Sequence, residues 1–262
     1  MVMSKKLTLK FNQSNFSDFL NKFSDLTSID DVVKLKIDKD EILMYSVISN
    51  EVTVLALKNY TIKTSDYLEK FDESETFDFI ITSAGKFSKN LKFFNTDQPI
   101  KLEILYKSSP DDGELMHVRS AQLTNGKLKI STIGGEQYRI RDITKTLLNA
   151  KLNPKLSRWS FMISNQDFIN IKKLSNINNE DKSFNITVDS GIVTFNEPSK
   201  WELEVAKIDY PSANIIFSKK YLGNINDDDE FINFNIFDNF ILVKDKESNL
   251  MLSFEQDFTN ED

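Results

Sequence analysis

Lys86, Lys89 and Lys92 recur at three-residue intervals within FDFIITSAGKFSKNLKFF, residues 77–94. At about 100° per residue, that interval places three cations on one side of a helix. Phe87, Leu91 and Phe94 fall on the other side, and Phe93 alone breaks the division. A row of ammonium groups with no carboxylate between them attracts anions, above all a regular polyanion. In a chain of formal net charge -7 such a row needs a reason, and a merely solvated helix face is the plain alternative.

Bond-making chemistry has little to work with. The chain has no cysteine and one histidine, His117, so thiolate metal sites, cysteine–histidine dyads and multi-histidine centres cannot be built. His117 falls in an alternating segment expected to be a strand, where a structural role outweighs that of a base. Gly85-Lys86 lacks the phosphate-loop pattern: Ile80 stands at the upstream glycine position and Phe87 follows the lysine. Asp227-Asp228-Asp229-Glu230 offers oxygen ligands for a hard cation but has no EF-hand spacing, and reads first as a solvated acidic loop. Among the 40 acidic residues no pair stands out for glycoside chemistry. The expectation is a non-enzyme with no catalytic residue, no metal and no cofactor.

The elements that must position the lysines can be taken in order. An alternating strand, Leu7 to Phe11, precedes a helix whose Phe16, Phe19, Leu20 and Phe23 make one buried stripe. Val33, Leu35 and Ile37 alternate with Lys34, Lys36 and Asp38, and a turn at Asp38-Lys39-Asp40 returns the chain through Ile42 and Met44. A strand pair is expected over 52–62 and an acidic loop over 66–75. An apolar strand then ends at Thr82, and Ser83 stands where an N-cap of the lysine helix would. After a strand at 101–106, a hairpin over 117–132 turns at Asn125-Gly126, the strongest turn signal in the chain.

Gly134-Gly135 breaks this pattern. Residues 136–157 carry Arg139, Arg141, Lys145, Lys151 and Lys155 against Glu136 and Asp142, with Leu147-Leu148 as an apolar centre and Pro154 against a long helix. They read as a connector. The order of elements then starts again: a strand from Trp159 to Ile163, a capping box at Ser164 to Asp167, and a helix whose Asp167-Phe168-Ile169-Asn170 echoes Asp18-Phe19-Leu20-Asn21. A hairpin turns at Asp189-Ser190-Gly191, and Ile215-Ile216-Phe217 leads through Ser218 into Lys219-Lys220-Tyr221-Leu222, as Phe79 to Lys92 did earlier. A last hairpin joins Phe240–Val243 to Leu250–Phe254. Matching order over two halves points to internal duplication. The expected division is 1–135, a first module; 136–157, a connector; and 158–262, a second module. The four helix candidates carry Lys22, Lys86, Lys89, Lys92, Lys172, Lys173, Lys219 and Lys220 against only Asp18, Asp25 and Asp167, so basic helices ride on an acidic body.

No run approaches 18 apolar residues, and MVMSKKLTLKF lacks the apolar core of a secretion signal. A soluble, cytoplasmic protein with no membrane partner is expected.

The doubled strand–helix–hairpin–helix–hairpin module, with lysines on its helices, resembles the sliding clamps of DNA replication. The second half, through SFNITVDSGIVTFNEPSKWELEVAKI, NIIFSKKYLGNI and FINFNIFDNFILV, is similar to the two-domain bacteriophage type. Two departures bear on the helices: Gly223 shortens the fourth, and the first carries only Lys22. The resemblance implies an α+β fold of two similar modules, each an antiparallel sheet backed by two short helices, and three chains closing into a ring. It also implies contact with double-stranded DNA through the eight lysines, whatever the base sequence. The implied partners are a DNA polymerase, a clamp loader and peptides docking near the connector, in the cytoplasm of an infected host cell. Leu147 and Leu148 are candidates for that peptide pocket and equally for packed core. The readings from other classes are a scaffold or virion protein built from a duplicated α+β module, and a hydrolase using scattered carboxylates.

Overall fold

The computed structural model describes residues 4–49, 54–69, 71, 76–94, 97–107, 115–131, 152–177, 183–189, 191–195, 201–204, 212–225, 230–245 and 247–256. The chain forms two compact units, Met1–Ile48 with Lys58–Asp142, and Ser49–Leu57 with Ile143–Asp262. A short stretch from the first half thus belongs to the second unit.

In the first unit β1 (Ser4–Phe11) leads into α1 (Gln13–Leu26), whose N-terminus is capped by the Asn12 side chain accepting from the Ser14 amide. Phe16, Phe19, Phe23 and Leu26 form the buried stripe of α1, as the spacing predicts. β2 (Val32–Ile37) and β3 (Glu41–Ser49) form the expected hairpin, and the Asp38 carboxylate closes its turn by accepting from the Asp40 and Glu41 amides, each at 2.8 Å. The polar side of β2 is not simply solvated. Lys34 is buried and meets Asp78 at 2.8 Å, while Lys36 lies 3.8 Å from the same carboxylate.

The expected strand pair over 52–62 is one long strand instead, β4 (Val54–Lys63), whose opening half belongs to the second unit. The expected acidic loop begins with a one-turn helix, α2 (Thr64–Tyr67), and a two-residue strand, β5 (Leu68–Glu69). β6 (Thr76–Thr82), α3 (Ala84–Leu91), β7 (Ile100–Lys107), β8 (Leu115–Asn125) and β9 (Leu128–Ser131) complete the unit. The β8–β9 turn uses the positive φ of Gly126, +58°, as the Asn-Gly signal predicts. His117 lies in β8, opposite Lys107 on one side and Asp78 on the other.

The second unit holds β10 (Trp159–Ser164), α4 (Asn165–Ile177), β11 (Ser183–Asp189), β12 (Ile192–Phe195), β13 (Trp201–Glu204) and β14 (Ala213–Ser218). A 3-10 turn at Lys219–Asn224 follows, then β15 (Phe231–Ile236), β16 (Phe240–Lys244), β17 (Ser248–Ser253) and β18 (Glu255–Gln256).

Strand pairing shows the duplication more firmly than four similar residues can. β1 pairs β7, β7 pairs β8 and β8 pairs β9; correspondingly β10 pairs β15, β15 pairs β16 and β16 pairs β17. β2 lies between β3 and β6, as β11 lies between β12 and β14. Every one of these pairs is antiparallel. In both units the last residue of the strand that leads to the lysine segment sits opposite the first residue of the central hairpin strand: Thr82 opposite Val32, Ser218 opposite Ser183. Differences fall at the margins. The first unit adds the short β5 beside β1 and a parallel contact of β6 with β8, and the second adds β18 beside β14.

Each unit is held by phenylalanine. In the first, Phe11 meets Phe16 at 5.3 Å, Phe23 meets Phe87 at 5.6 Å and Phe16 stacks on Phe94 at 6.0 Å, fastening α1 and α3 to the sheet. In the second, Phe161 and Phe234 stack at 5.2 Å and 3°, with Phe168 of α4 at 6.0 Å from Phe234. Aromatic pairs of this kind are worth about 0.5–1.5 kcal/mol each beyond the area they bury.

Candidate nucleic-acid interface

The lysine helix divides as its spacing requires. Ala84, Phe87, Ser88 and Leu91 of α3 are buried, and Lys86, Lys89 and Lys92 are exposed. Phe94 turns back into the core, while Phe93, the residue that broke the division, is 79% exposed. No carboxylate occurs from Ala84 to Phe94, so the exposed side of α3 is purely cationic.

How α3 starts differs from expectation. Ser83 has φ +53° and makes no capping hydrogen bond with its side chain. Asp31 does the work from the loop before β2: its carbonyl accepts from the Ala84 amide at 2.9 Å, and its carboxylate accepts from the Gly85 amide at 2.7 Å. A carboxylate at a helix N-terminus answers both the unpaired amides and the helix dipole. Serine was the local signal; a cap from 52 positions upstream leaves none.

Lys22 is placed otherwise. Its ammonium lies 2.6 Å from both carboxylate oxygens of Asp18, one turn earlier on α1, and the Tyr67 hydroxyl donates to the same carboxylate. Burial alone would raise the Asp18 pKa, but the Lys22 hydrogen bond, the Tyr67 hydrogen bond and the lysine charge outweigh it and hold the carboxyl below its ordinary value. The Asp18/Lys22 spacing of four was legible in the sequence as a helical ion pair. A second ion pair, Lys58 with Asp25, fixes α1 against β4; Lys58 is fully buried, and the Tyr60 hydroxyl donates to Asp25 at 2.6 Å.

The capping box that opens α4 forms as its residues predict: the Asp167 amide donates to the Ser164 hydroxyl at 3.1 Å, and that hydroxyl donates to the Asp167 carboxylate at 2.6 Å. Lys173 is exposed. Lys172 is half-buried, with its ammonium 4.7 Å from the centre of the Phe168 ring and donating to the Ile225 carbonyl at 3.3 Å. The expected fourth helix is the 3-10 turn Lys219–Asn224, and Ser218 makes no side-chain cap there. Lys219 is half-buried, and exposed Lys220 lies over the Tyr221 ring at 4.6 Å. Packing against rings in this way leaves a charge less free to follow a moving phosphate.

Leu147 and Leu148 lie outside the described residues, as do Asp227, Asp228 and Asp229. Among the described residues no cluster of three or more histidine or carboxylate side chains could hold a metal ion, and no helix is long and apolar enough to cross a membrane.

Two modules with one strand-pairing scheme, each carrying its helical segments after the same strands, define the DNA sliding-clamp fold. The chain is similar to the DNA polymerase III beta chain of Streptococcus pneumoniae, with a TM-score of 0.61 and 12% identity over 97% of this chain and 66% of that one. It is also similar to PCNA from Thermococcus kodakaraensis, with a TM-score of 0.59 and 11% identity over 96% of this chain and 100% of the other. A third likeness is the Helicobacter pylori beta clamp bound to a DNA ligase peptide, at 0.62 and 12% over 97% and 67%. The chain thus spans about two thirds of the bacterial clamps and the whole of the archaeal one. No protein-family model matches it, and neither does any curated protein sequence.

Proposed function

We propose that the chain is a sliding clamp of the two-module bacteriophage type, three copies of which close into a ring around duplex DNA and tether a replicative polymerase. One observation carries this reading: a duplicated clamp module, acidic overall, presents an uninterrupted cationic helix face. A ring needs no tight grip, because the duplex cannot leave sideways. Lysine–phosphate contacts are screened, carry no base information and are remade at each step, so the ring slides. Tethering raises the effective concentration of polymerase at the primer end. Lys86, Lys89, Lys92 and Lys173 supply the freer contacts, and Lys172, Lys219 and Lys220 contribute from more restrained positions. Lys22 serves α1 through Asp18 before it serves DNA.

The remaining partners follow from the same reading. A clamp loader opens the ring, and partner peptides dock beside the connector at residues 136–157, where Leu147 and Leu148 form an apolar pocket. The modules are 1–135 and 158–262, the setting is the cytoplasm of an infected host cell, and the protein has no enzymatic activity. Light scattering should give about three times 30.3 kDa at micromolar concentration. Loaded protein should remain on closed circular DNA in moderate salt and be lost once the circle is cut. Equal retention on circular and linear DNA would sink the reading.

A further inference from the structure

Phe93 is 79% exposed, more than any other large apolar side chain among the described residues. The ring is not at a fraying end. The Phe93 amide donates to the Asn90 carbonyl at 3.2 Å and the Phe94 amide to the Leu91 carbonyl at 3.0 Å, so the chain closes a tight turn on both sides of it. Leu91 is buried, and Phe94 stacks on Phe16 at 6.0 Å. With these neighbours held in the core, Phe93 is turned outward by the fold.

It turns toward the lysines. At about 100° per residue, Phe93 lies about 20° from Lys86 and about 40° from Lys89 around the helix axis. Lys86, Lys89 and Phe93 therefore make one row, about 10 Å long at about 1.5 Å per residue, with Lys92 on its flank. Among the described residues none of these three lysines is in an ion pair, and the Phe93 ring meets no other ring and no ammonium. In the second unit the rings beside lysines are occupied, Phe168 by Lys172 and Tyr221 by Lys220. A single exposed phenylalanine on a neutral surface needs no explanation. One set in a cationic row, with ring and cations both unengaged, fits a polyanion that also carries flat apolar faces. Duplex DNA offers phosphates but keeps its base faces stacked on each other; single-stranded DNA offers both.

We propose that the Lys86–Lys89–Phe93 row binds single-stranded DNA, with the lysines on phosphates and the Phe93 ring stacked on one base. The contact reads no sequence, because every base has a π-face. This inference rests on the reading of the α3 face as DNA-facing and adds a second ligand to it. The face that slides along duplex holds the strand where duplex gives way to single-stranded template.

The test is fluorescence anisotropy with a short oligothymidine and an abasic strand of the same length, which keeps the phosphates and lacks the bases. Native protein should bind the oligothymidine about fivefold or more tightly than the abasic strand. Phe93→Ala should remove that preference and leave the salt slope unchanged. Lys86→Gln with Lys89→Gln should instead weaken both strands alike and lower the slope. Phe93→Trp should keep the preference, with emission quenched by oligothymidine beyond that of native protein, whose tryptophans are Trp159 and Trp201. Circular dichroism checks the fold of each variant, and the native comparison of the two strands decides even where a variant fails to fold. Equal affinity of native protein for both strands, no binding of oligothymidine at low salt, or a Phe93→Ala variant that keeps the preference overturns the inference. Phe93→Ala should stay on closed circular duplex DNA as native protein does, so loss of the stacking contact leaves the ring reading standing. Equal retention of native protein on circular and linear duplex overturns the ring reading by itself.

Discussion

The two units share a pairing scheme but not a helix surface. In the first, α3 is a true helix, capped by Asp31, with three exposed lysines above a phenylalanine core. In the second, the same position holds a 3-10 turn, and two of the four second-unit lysines on the helical segments, Lys172 and Lys220, lie against aromatic rings. Strand pairing and core phenylalanines answer to every neighbour at once, so a duplicated module keeps them. A helix face turned to solvent answers only to what it meets, and it can drift. The cationic surface is therefore expected to act unequally, with the first unit leading.

The largest effects should be equal in the two units. Phe23 of α1 and Phe168 of α4 are both fully buried, so Phe23→Ala and Phe168→Ala should each cost about 3–5 kcal/mol in urea unfolding. A gap between them wider than that range would break the equivalence of the two cores.

The DNA contacts should be unequal. Replacing Lys86, Lys89 and Lys92 together by Gln should lower the slope of log affinity against log salt by about 2–3 for short duplexes, whatever their sequence. Replacing Lys172, Lys219 and Lys220 should lower it by less. Fluorescence anisotropy over a salt series reads both, and an equal or reversed order would mean that ring-packed and half-buried lysines are as free as those of α3.

A smaller effect should be confined to α1. Asp18 has a folded pKa below its unfolded value, so its contribution is complete above the unfolded value and fades as pH falls through the folded one. The carboxylate is half-exposed, which limits Asp18→Asn to about 0.5–1 kcal/mol at pH 7. Melting curves of variant and native protein should converge below pH 3.8. A constant difference from pH 7 to pH 2 would assign the loss to packing rather than charge.

The smallest change tests why the fourth helical segment is short. A Cβ added at Gly223 would meet nothing within 4 Å, and this glycine is not among the residues with positive φ. Gly223→Ala should be neutral or stabilising by about 0.4–1 kcal/mol in thermal unfolding. A gain in helical circular dichroism would make Gly223 the cause of the 3-10 turn; stability without added helix would make packing the cause.

What the sequence by itself determined was whatever depends on neighbours within a turn or a hairpin. The stripe of Phe16, Phe19 and Phe23, the Asp38 and Gly126 turns, the Ser164–Asp167 capping box and the lysine face of α3 are all short-range patterns with one periodicity each. The order of those patterns sufficed to show a doubled module. Tertiary structure decided the rest. Asp31 rather than Ser83 caps α3, because an amide takes the carboxylate that the fold brings near it. The stretch over 52–62 is one strand shared between two units, because pairing partners, and not propensity, end a strand. Lys172, read from the sequence as a member of a uniform basic set, donates to the Ile225 carbonyl, 53 positions further on, since a long cationic side chain settles on the best partner within reach. Contacts of that kind are set by distance in space, and the chain order does not contain them.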